Sequence, residues 1–325
     1  MDVEWWAWVA FCAVVVAMLA VDLLLFGRGG GAIGFGTAAV WSVIWTVIGV
    51  GFYAVLIVWE GTGPANEYLA GFLIEKSLSM DNLFVFALLF SYFAIPLALQ
   101  RRVLFWGITG AIVLRAAFIL AGAALLDAFH WALYLFGAFL VLTGIRMARH
   151  SGEEIHPERN PALKLLNRVV PVSTEFDGQK LFVVRSGKRL ATPLFAALVL
   201  VAVFDVVFAI DSIPAIFAIT RETFIVFAAN AFSLLGLSAL YFLLAGMMKR
   251  FEYLSLGLAG ILVFIGVKML ISDAWKMPIW LSLVVIVAAL AGSVGYSLWK
   301  TRGQPDDPAD GGGAAPGPCE HAAAV

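Results

Sequence analysis

Charge is what this chain has least of. Only 13% of its 325 residues are Asp, Glu, Lys or Arg, where an average soluble domain carries roughly a quarter, and that shortage excludes an ordinary soluble enzyme. Cysteine is scarce too. Cys12 lies in the first apolar run and Cys319 in the last few residues, settings too different for a disulfide framework or a thiolate metal site. The four histidines, His130, His150, His156 and His321, are scattered, so no His-Cys cluster suggests zinc or haem. There is no glycine-rich phosphate loop, no serine–histidine constellation and no basic patch. The expectation is a chain that is not an enzyme, holds no permanent cofactor and binds no nucleic acid. The start, Met1-Asp2-Val3-Glu4, lacks the basic n-region of a secretory signal, so the first apolar run reads as a retained span.

What the chain has in abundance is hydrocarbon: 62% hydrophobic residues and a mean hydropathy of +0.96. Apolar windows recur near 5–26, 38–58, 68–92, 102–122, 124–148, 192–212, 223–247, 253–272 and 279–299, each close to the length that crosses about 30 Å of bilayer core. The expected fold is all-α: a polytopic transmembrane bundle of about nine spans.

Net charge is -1, but its distribution is informative. With the N-terminus outside, Arg28, Arg101, Arg102, the set from Arg146 to Arg189, Lys249, Arg250, Lys300 and Arg302 all fall inside. Arg221, Lys268 and Lys276 fall outside, with Glu60, Glu67 and Asp127. The positive-inside rule therefore places the N-terminus outside and the C-terminus in the cytoplasm. Trp5, Trp6, Trp8, Trp59, Trp131, Trp275, Trp280 and Trp299 sit mostly near window ends, as an aromatic belt would.

The organisation read from this is a first membrane half, 1–148, a cytoplasmic loop, 149–191, a second half, 192–300, and a disordered cytoplasmic tail, 301–325. The loop has a Pro-interrupted charged stretch and then Gln179–Arg185 between turn residues, which suits a small hairpin. It is the candidate docking surface for a protein partner.

Two pairs of segments resemble each other. Glu75-Lys76-Ser77-Leu78-Ser79-Met80-Asp81-Asn82 and Asp205-Val206-Val207-Phe208-Ala209-Ile210-Asp211-Ser212 both place acids six residues apart, followed by an amide or hydroxyl. Leu140-Val141-Leu142-Thr143-Gly144-Ile145-Arg146-Met147 parallels Leu262-Val263-Phe264-Ile265-Gly266-Val267-Lys268-Met269. The spans concerned are the third with the sixth and the fifth with the eighth. An offset of three spans reverses direction, so the repeat is inverted, as in many secondary transporters.

Glu75, Asp81, Asp205 and Asp211 fall deep in their windows, where a charged carboxylate costs about 2.5–3.5 kcal/mol even on lenient scales and is functional by default. Asp22 and Asp127 lie near span ends and read as reaching water. Lys76 and Arg115 are the deep basic residues; pairing with two acids would be structural and would leave two over. Carboxylate, amide and hydroxyl oxygens suit hard divalent cations, which makes Glu75, Asp81, Asn82, Asp205, Asp211 and Ser212 the candidate ligands. Residues six apart on a straight helix point about 120° from each other, so a local break is needed, and Pro214 offers one by freeing the carbonyl of Ile210. Asn230 and Ser233 are equally readable as a polar path or as interhelical glue.

The stretches Glu75–Phe86 and Phe204–Ala215 closely resemble the paired motifs of the TerC/Alx family of integral membrane proteins, named for tellurium resistance. The resemblance covers about residues 5–300. It implies a bacterial inner-membrane protein of metal-ion homeostasis with a LysE-superfamily-like transporter architecture, and it carries the signature acids to Glu75, Asp81, Asp205 and Asp211, with Asn82 and Ser212 as neighbours. Some members are taken to export manganese and others are linked to calcium.

The expected function is thus export of a divalent cation, Mn2+ before Ca2+, by alternating access between the third and sixth spans, with protons competing for the same acids. The alternatives are a non-transporting scaffold or chaperone that works through the 149–191 loop, a membrane-embedded hydrolase, and an organic-solute exporter.

Overall fold

A computed structural model describes residues 3–27, 34–129, 131–149, 178, 180–185, 188–245, 254–272 and 277–301. The apolar windows form helices α1 (Trp5–Gly27), α2 (Phe35–Glu60), α3 (Thr62–Tyr92), α4 (Leu97–Ala128) and α5 (Ala132–Arg149). Strands β1 (Phe182–Arg185) and β2 (Lys188–Ala191) follow. Helices α6 (Pro193–Phe217), α7 (Thr223–Leu234), α8 (Leu237–Ala245), α9 (Leu254–Leu270) and α10 (Ile279–Thr301) complete the order.

Six of these, α1, α2, α4, α5, α6 and α10, contain a stretch long and apolar enough to cross a membrane, and α7 with α8, bent by 40° at their break, would make a seventh. Helix α3 has 31 residues but dilutes its apolar run with Glu67, Glu75, Lys76 and Asp81. Helix α9 is apolar but has 17 residues, about 25 Å at the α-helical rise.

The surface and interior are exchanged relative to a water-soluble protein. Val58, Trp5 and Leu142 are 89%, 78% and 67% exposed, while Glu75, Arg115 and Asp205 are 0%, 1% and 2% exposed. Apolar rods facing outwards around ionised groups are stable only where hydrocarbon is the solvent, since helices satisfy their own backbone there and charges must find partners inside. The chain is a multi-pass integral membrane protein.

Two boundaries differ from the apolar windows. Helix α4 continues past the window edge at 122 through the alanine-rich stretch to Ala128, and the break before α5 falls between Ala128 and Ala132, at the short turn that Asp127 and His130 mark in the sequence. Ala and Leu are good helix formers, and nothing in Ala121–Leu126 stops the helix. The window 223–247 is interrupted: Leu235 leaves helical geometry and Gly236 has φ +75°. A Cβ on Gly236 would also stand 2.4 Å from Trp45 Cβ, so both backbone conformation and space require glycine there.

Helices α5 and α9 make the closest backbone approach. A Cβ on Gly137 would lie 3.0 Å from the Gly266 carbonyl oxygen, and one on Gly144 would lie 2.8 Å from that of Ala259. Moving seven residues forward on α5 moves seven back on α9, so the two run antiparallel. Elsewhere α3 packs on α2, α6, α7 and α10, and α4 packs on α6 and α7. Gly107 meets Val201 and Gly122 meets Phe217, which makes α4 and α6 parallel neighbours.

Strands β1 and β2 pair antiparallel, with Phe182 opposite Ala191 and Arg185 opposite Lys188. Thr192 joins this hairpin to the bundle. Its Oγ1 donates towards the carbonyls of Lys180 and Leu181, at 2.9 and 3.1 Å, and accepts from the Phe195 amide at 3.4 Å. It thereby caps α6, whose first residue is Pro193, a position where the missing amide proton costs nothing.

Candidate functional site

Four helices cross where their sequences are polar. Glu75 lies near the middle of α3 and Asp205 near the middle of α6, and the Arg115 side chain reaches between them from α4. Arg115 Nη1 is 2.5 Å from Glu75 Oε2, and Nη2 is 3.2 Å from Asp205 Oδ1. Nε donates to the same Asp205 oxygen at 3.3 Å. Nη1 also stands 3.5 Å from both Ser212 Oγ and Asn230 Oδ1. Asn230, from α7, donates its Nδ2 to Glu75 Oε1 at 3.0 Å. With the Asn82 amide turned so that its oxygen faces the guanidinium, it accepts from Arg115 Nη2 at 3.3 Å and donates to the Leu78 carbonyl at 3.1 Å.

A planar guanidinium with five donors is the side chain suited to two carboxylates at once, and it keeps its charge. Burial of such a cluster is costly and is offset only when nearly every donor and acceptor is met. Here one acceptor is left over: Asp205 Oδ2 is buried and has no hydrogen-bond partner among the described residues. One guanidinium against two carboxylates also leaves these three side chains with an excess of one negative charge. A crevice beside Arg115, lined by Ile112, Ala116, Ile119, Phe227, Asn230 and Ala231, is too tight for a water molecule.

Not all the candidate ligands meet here. Asp211 follows Asp205 by six residues on α6, which turns it about 120° away. It is half-buried and accepts from Thr143 Oγ1 of α5 at 3.3 Å. Asp81 lies on α3, but its side chain is outside the described residues. Glu75, Asn82, Asp205 and Ser212 therefore gather around Arg115, Asp211 stands apart, and no group of three acids, histidines or cysteines close enough to hold a metal ion occurs among the described residues. Helix α6 continues through Pro214 to Phe217.

The two deep basic residues divide the work. Arg115 takes acids, whereas Lys76 takes carbonyls: its Nζ donates to the oxygens of Ser233 and Leu235, at 3.2 and 3.4 Å. These belong to the end of α7, where the break at Gly236 frees backbone acceptors. An ammonium there satisfies them and complements the negative end of the helix. Ser233 Oγ donates to the Asn230 carbonyl at 2.8 Å, which steadies the turn that carries Asn230. Asp22, expected to reach water, is instead buried near Trp45 and Ser238. Thr143 was missed as a partner of an acid, although it lies inside the segment that parallels Leu262–Met269.

The model of the integral membrane protein TerC family matches residues 60–305, which is α3 to the end of α10. The chain belongs to the TerC family. It is 46% identical over 303 residues to an uncharacterized membrane protein of Myxococcus xanthus, covering 93% of this chain and 95% of that protein. It is 46% identical over 301 residues to the putative membrane-bound redox modulator Alx of Escherichia coli, covering 90% and 94%. An uncharacterized membrane protein of Rickettsia bellii is 38% identical over 284 residues, covering 87% and 94%. No solved structure matches. The family match begins at α3, so the four helices that build the Arg115 cluster all fall within it.

Proposed function

We propose that this TerC-family protein is a divalent metal cation transporter of the bacterial inner membrane, exporting Mn2+ before Ca2+ by alternating access between α3 and α6. The observation that carries this reading is the position of Glu75 and Asp205. They are buried acids at matching places in two similar segments, and they meet at one crossing in the middle of the bundle. Among the described residues, the side chains bonded around them are those of Arg115, Asn230 and Ser212, and the carboxylate, amide and hydroxyl oxygens are those that hard divalent ions use.

The reading takes all nine apolar windows as spans, with the N-terminus outside, and treats α3–α5 and α6–α9 as inverted repeats. The reciprocal contacts support it. Gly137 meets Gly266 as Gly144 meets Ala259, and Gly144 corresponds to Gly266 in the aligned segments. In the same way Glu75 meets Asn230 of the second half while Asp205 meets Arg115 of the first. Sites at the interface of such halves are opened by rocking one against the other.

A second reading, a non-transporting scaffold, rests on the hairpin, where Phe182 and Val184 point the same way and are 46% and 67% exposed. The redox role in the name of the Escherichia coli relative would need chemistry beyond this chain's two cysteines, which lie at opposite ends of the sequence.

The test is ion flux in sealed proteoliposomes holding the purified full chain, comparing Mn2+, Ca2+, Mg2+ and Zn2+ with and without a pH gradient. Flux of Mn2+ above protein-free vesicles is expected. Flux indifferent to a collapsed gradient would remove proton coupling, and no flux of any ion by folded protein would favour the scaffold, to be pursued by deleting 151–189.

A further inference from the structure

We propose that Arg115 is a tethered competitor of the transported ion: its guanidinium occupies the carboxylates while the carrier is empty and is displaced from Asp205, but not from Glu75, when a divalent cation binds. The inference rests on the transporter reading and adds how its site is regulated.

Three features of the cluster lead there. First, the positive charge at the crossing of α3 and α6 is part of the protein. A guanidinium stays protonated at any physiological pH, so it can leave an acid only by moving. A doubly charged ion placed beside both acids with Arg115 still bridging them would face that charge across a medium of low dielectric, where like charges repel strongly.

Second, the two ends of the bridge are unequal. The contact with Glu75 is 2.5 Å, and the contacts with Asp205 are 3.2 and 3.3 Å. Glu75 has a further donor in Asn230, whereas Asp205 keeps a buried oxygen, Oδ2, with no partner among the described residues. The longer contact is thus to the acid with spare acceptor capacity, and that is the oxygen on which an arriving cation lands.

Third, the arrangement is reciprocal but its charge is not. Arg115 on α4 and Asn230 on α7 each belong to one half and each bond to the acid of the other. One half supplies a cation and the other only an amide. Arg115 and Glu75 both belong to the first half and can move together, so the ion pair that spans the halves and must break when they rock is Arg115–Asp205, beside the hydrogen bond from the Asn230 amide to Glu75. Closed, this bridge holds the halves together without an ion and offsets one of the two negative charges. The empty carrier then returns without a bound cation and presents no open pair of acids to leak.

The experiment is equilibrium binding of Mn2+ alone to the purified full chain in detergent, for wild type, Arg115→Gln, Arg115→Lys and Arg115→Gln with Glu75→Gln. A tethered competitor predicts that Arg115→Gln binds Mn2+ at least about tenfold more tightly than wild type, corresponding to about 1.4 kcal/mol. In vesicles the same variant would release the ion more slowly. Removing Glu75 as well returns affinity towards wild type. Should Arg115→Gln fail to fold, Arg115→Lys decides: an ammonium cannot fork across both acids, so binding tightens several-fold. Binding equal to or weaker than wild type in whichever of these variants folds overturns the inference and leaves the transporter reading standing. Absence of Mn2+ binding by all the proteins, shown to be folded, overturns both.

Discussion

Two crossings in this bundle join segments that parallel each other in sequence, and they are held by opposite means. Helices α5 and α9 meet through glycine, with backbone against backbone and no charged group at the point of contact. Helices α3 and α6 meet around a guanidinium and two carboxylates. Without a hydrophobic drive between helices in lipid, close van der Waals packing of small residues is the stable way to fix two rods. The glycine seam is suited to stay closed. The charged crossing balances a large desolvation cost against pairing that a competing ion can replace, and it is suited to open. On the proposed transporter reading, the two contacts divide the fold into a fixed joint and a switchable one.

The comparison breaks most severely at Arg115. Arg115→Ala leaves Glu75 and Asp205 buried without their counter-charge, and removing one partner of such a cluster costs about 3–5 kcal/mol. Denaturant or thermal unfolding in detergent is expected to show that loss, and added Mn2+ is expected to restore part of it. The next effect belongs to the seam. Gly266→Val forces a side chain to within 2.7 Å of the Gly137 carbonyl oxygen, and overpacking of this kind costs about 1–3 kcal/mol. Its unfolding shift should be insensitive to Mn2+, and that difference separates the fixed joint from the switchable one.

Smaller changes sharpen the picture. Lys76→Met removes the donor to the Ser233 and Leu235 carbonyls, a loss of about 2 kcal/mol for buried acceptors left unmet. It should loosen the α7–α8 break, read as faster amide exchange around Ser238. Thr143→Val deletes one hydroxyl beside Asp211 and is expected to cost about 1 kcal/mol with little effect on Mn2+ binding. A large loss of binding in that variant would show that Asp211 belongs to the ion site after all.

Much of this was legible in the residues, and what was not has a physical reason. Hydrophobic windows locate helices because a span must be apolar and about 20 residues long, and Arg115 is recognisable as a deep cation because no other charged residue lies between Val103 and Leu126. Which acid it takes is not legible. Glu75 and Asp81 lie on different faces of α3, as Asp205 and Asp211 do on α6, and only packing decides which face turns inwards. The break at Gly236 was hidden because Ser-Leu-Leu-Gly-Leu reads as continuous apolar helix, and glycine is common within membrane helices. It is the ring of Trp45, distant in sequence, that makes glycine necessary there. Asp22 was misjudged for a related reason: its distance from the helix end suggested water, while Trp45 and Ser238 from other helices close over it. The glycine pair at 144 and 266 was visible in the aligned segments, yet that the two glycines share a seam emerges only from the antiparallel course of α5 and α9.

If ion movement depends on the charged crossing, it should vanish when both acids there are made neutral. Mn2+ efflux from sealed vesicles, measured for wild type and for Glu75→Gln with Asp205→Asn at equal amounts of folded protein, decides this. At least a tenfold loss of rate in the double variant is predicted. Efflux at the wild-type rate would mean that the ion takes another path and that the Arg115 cluster only holds the helices together.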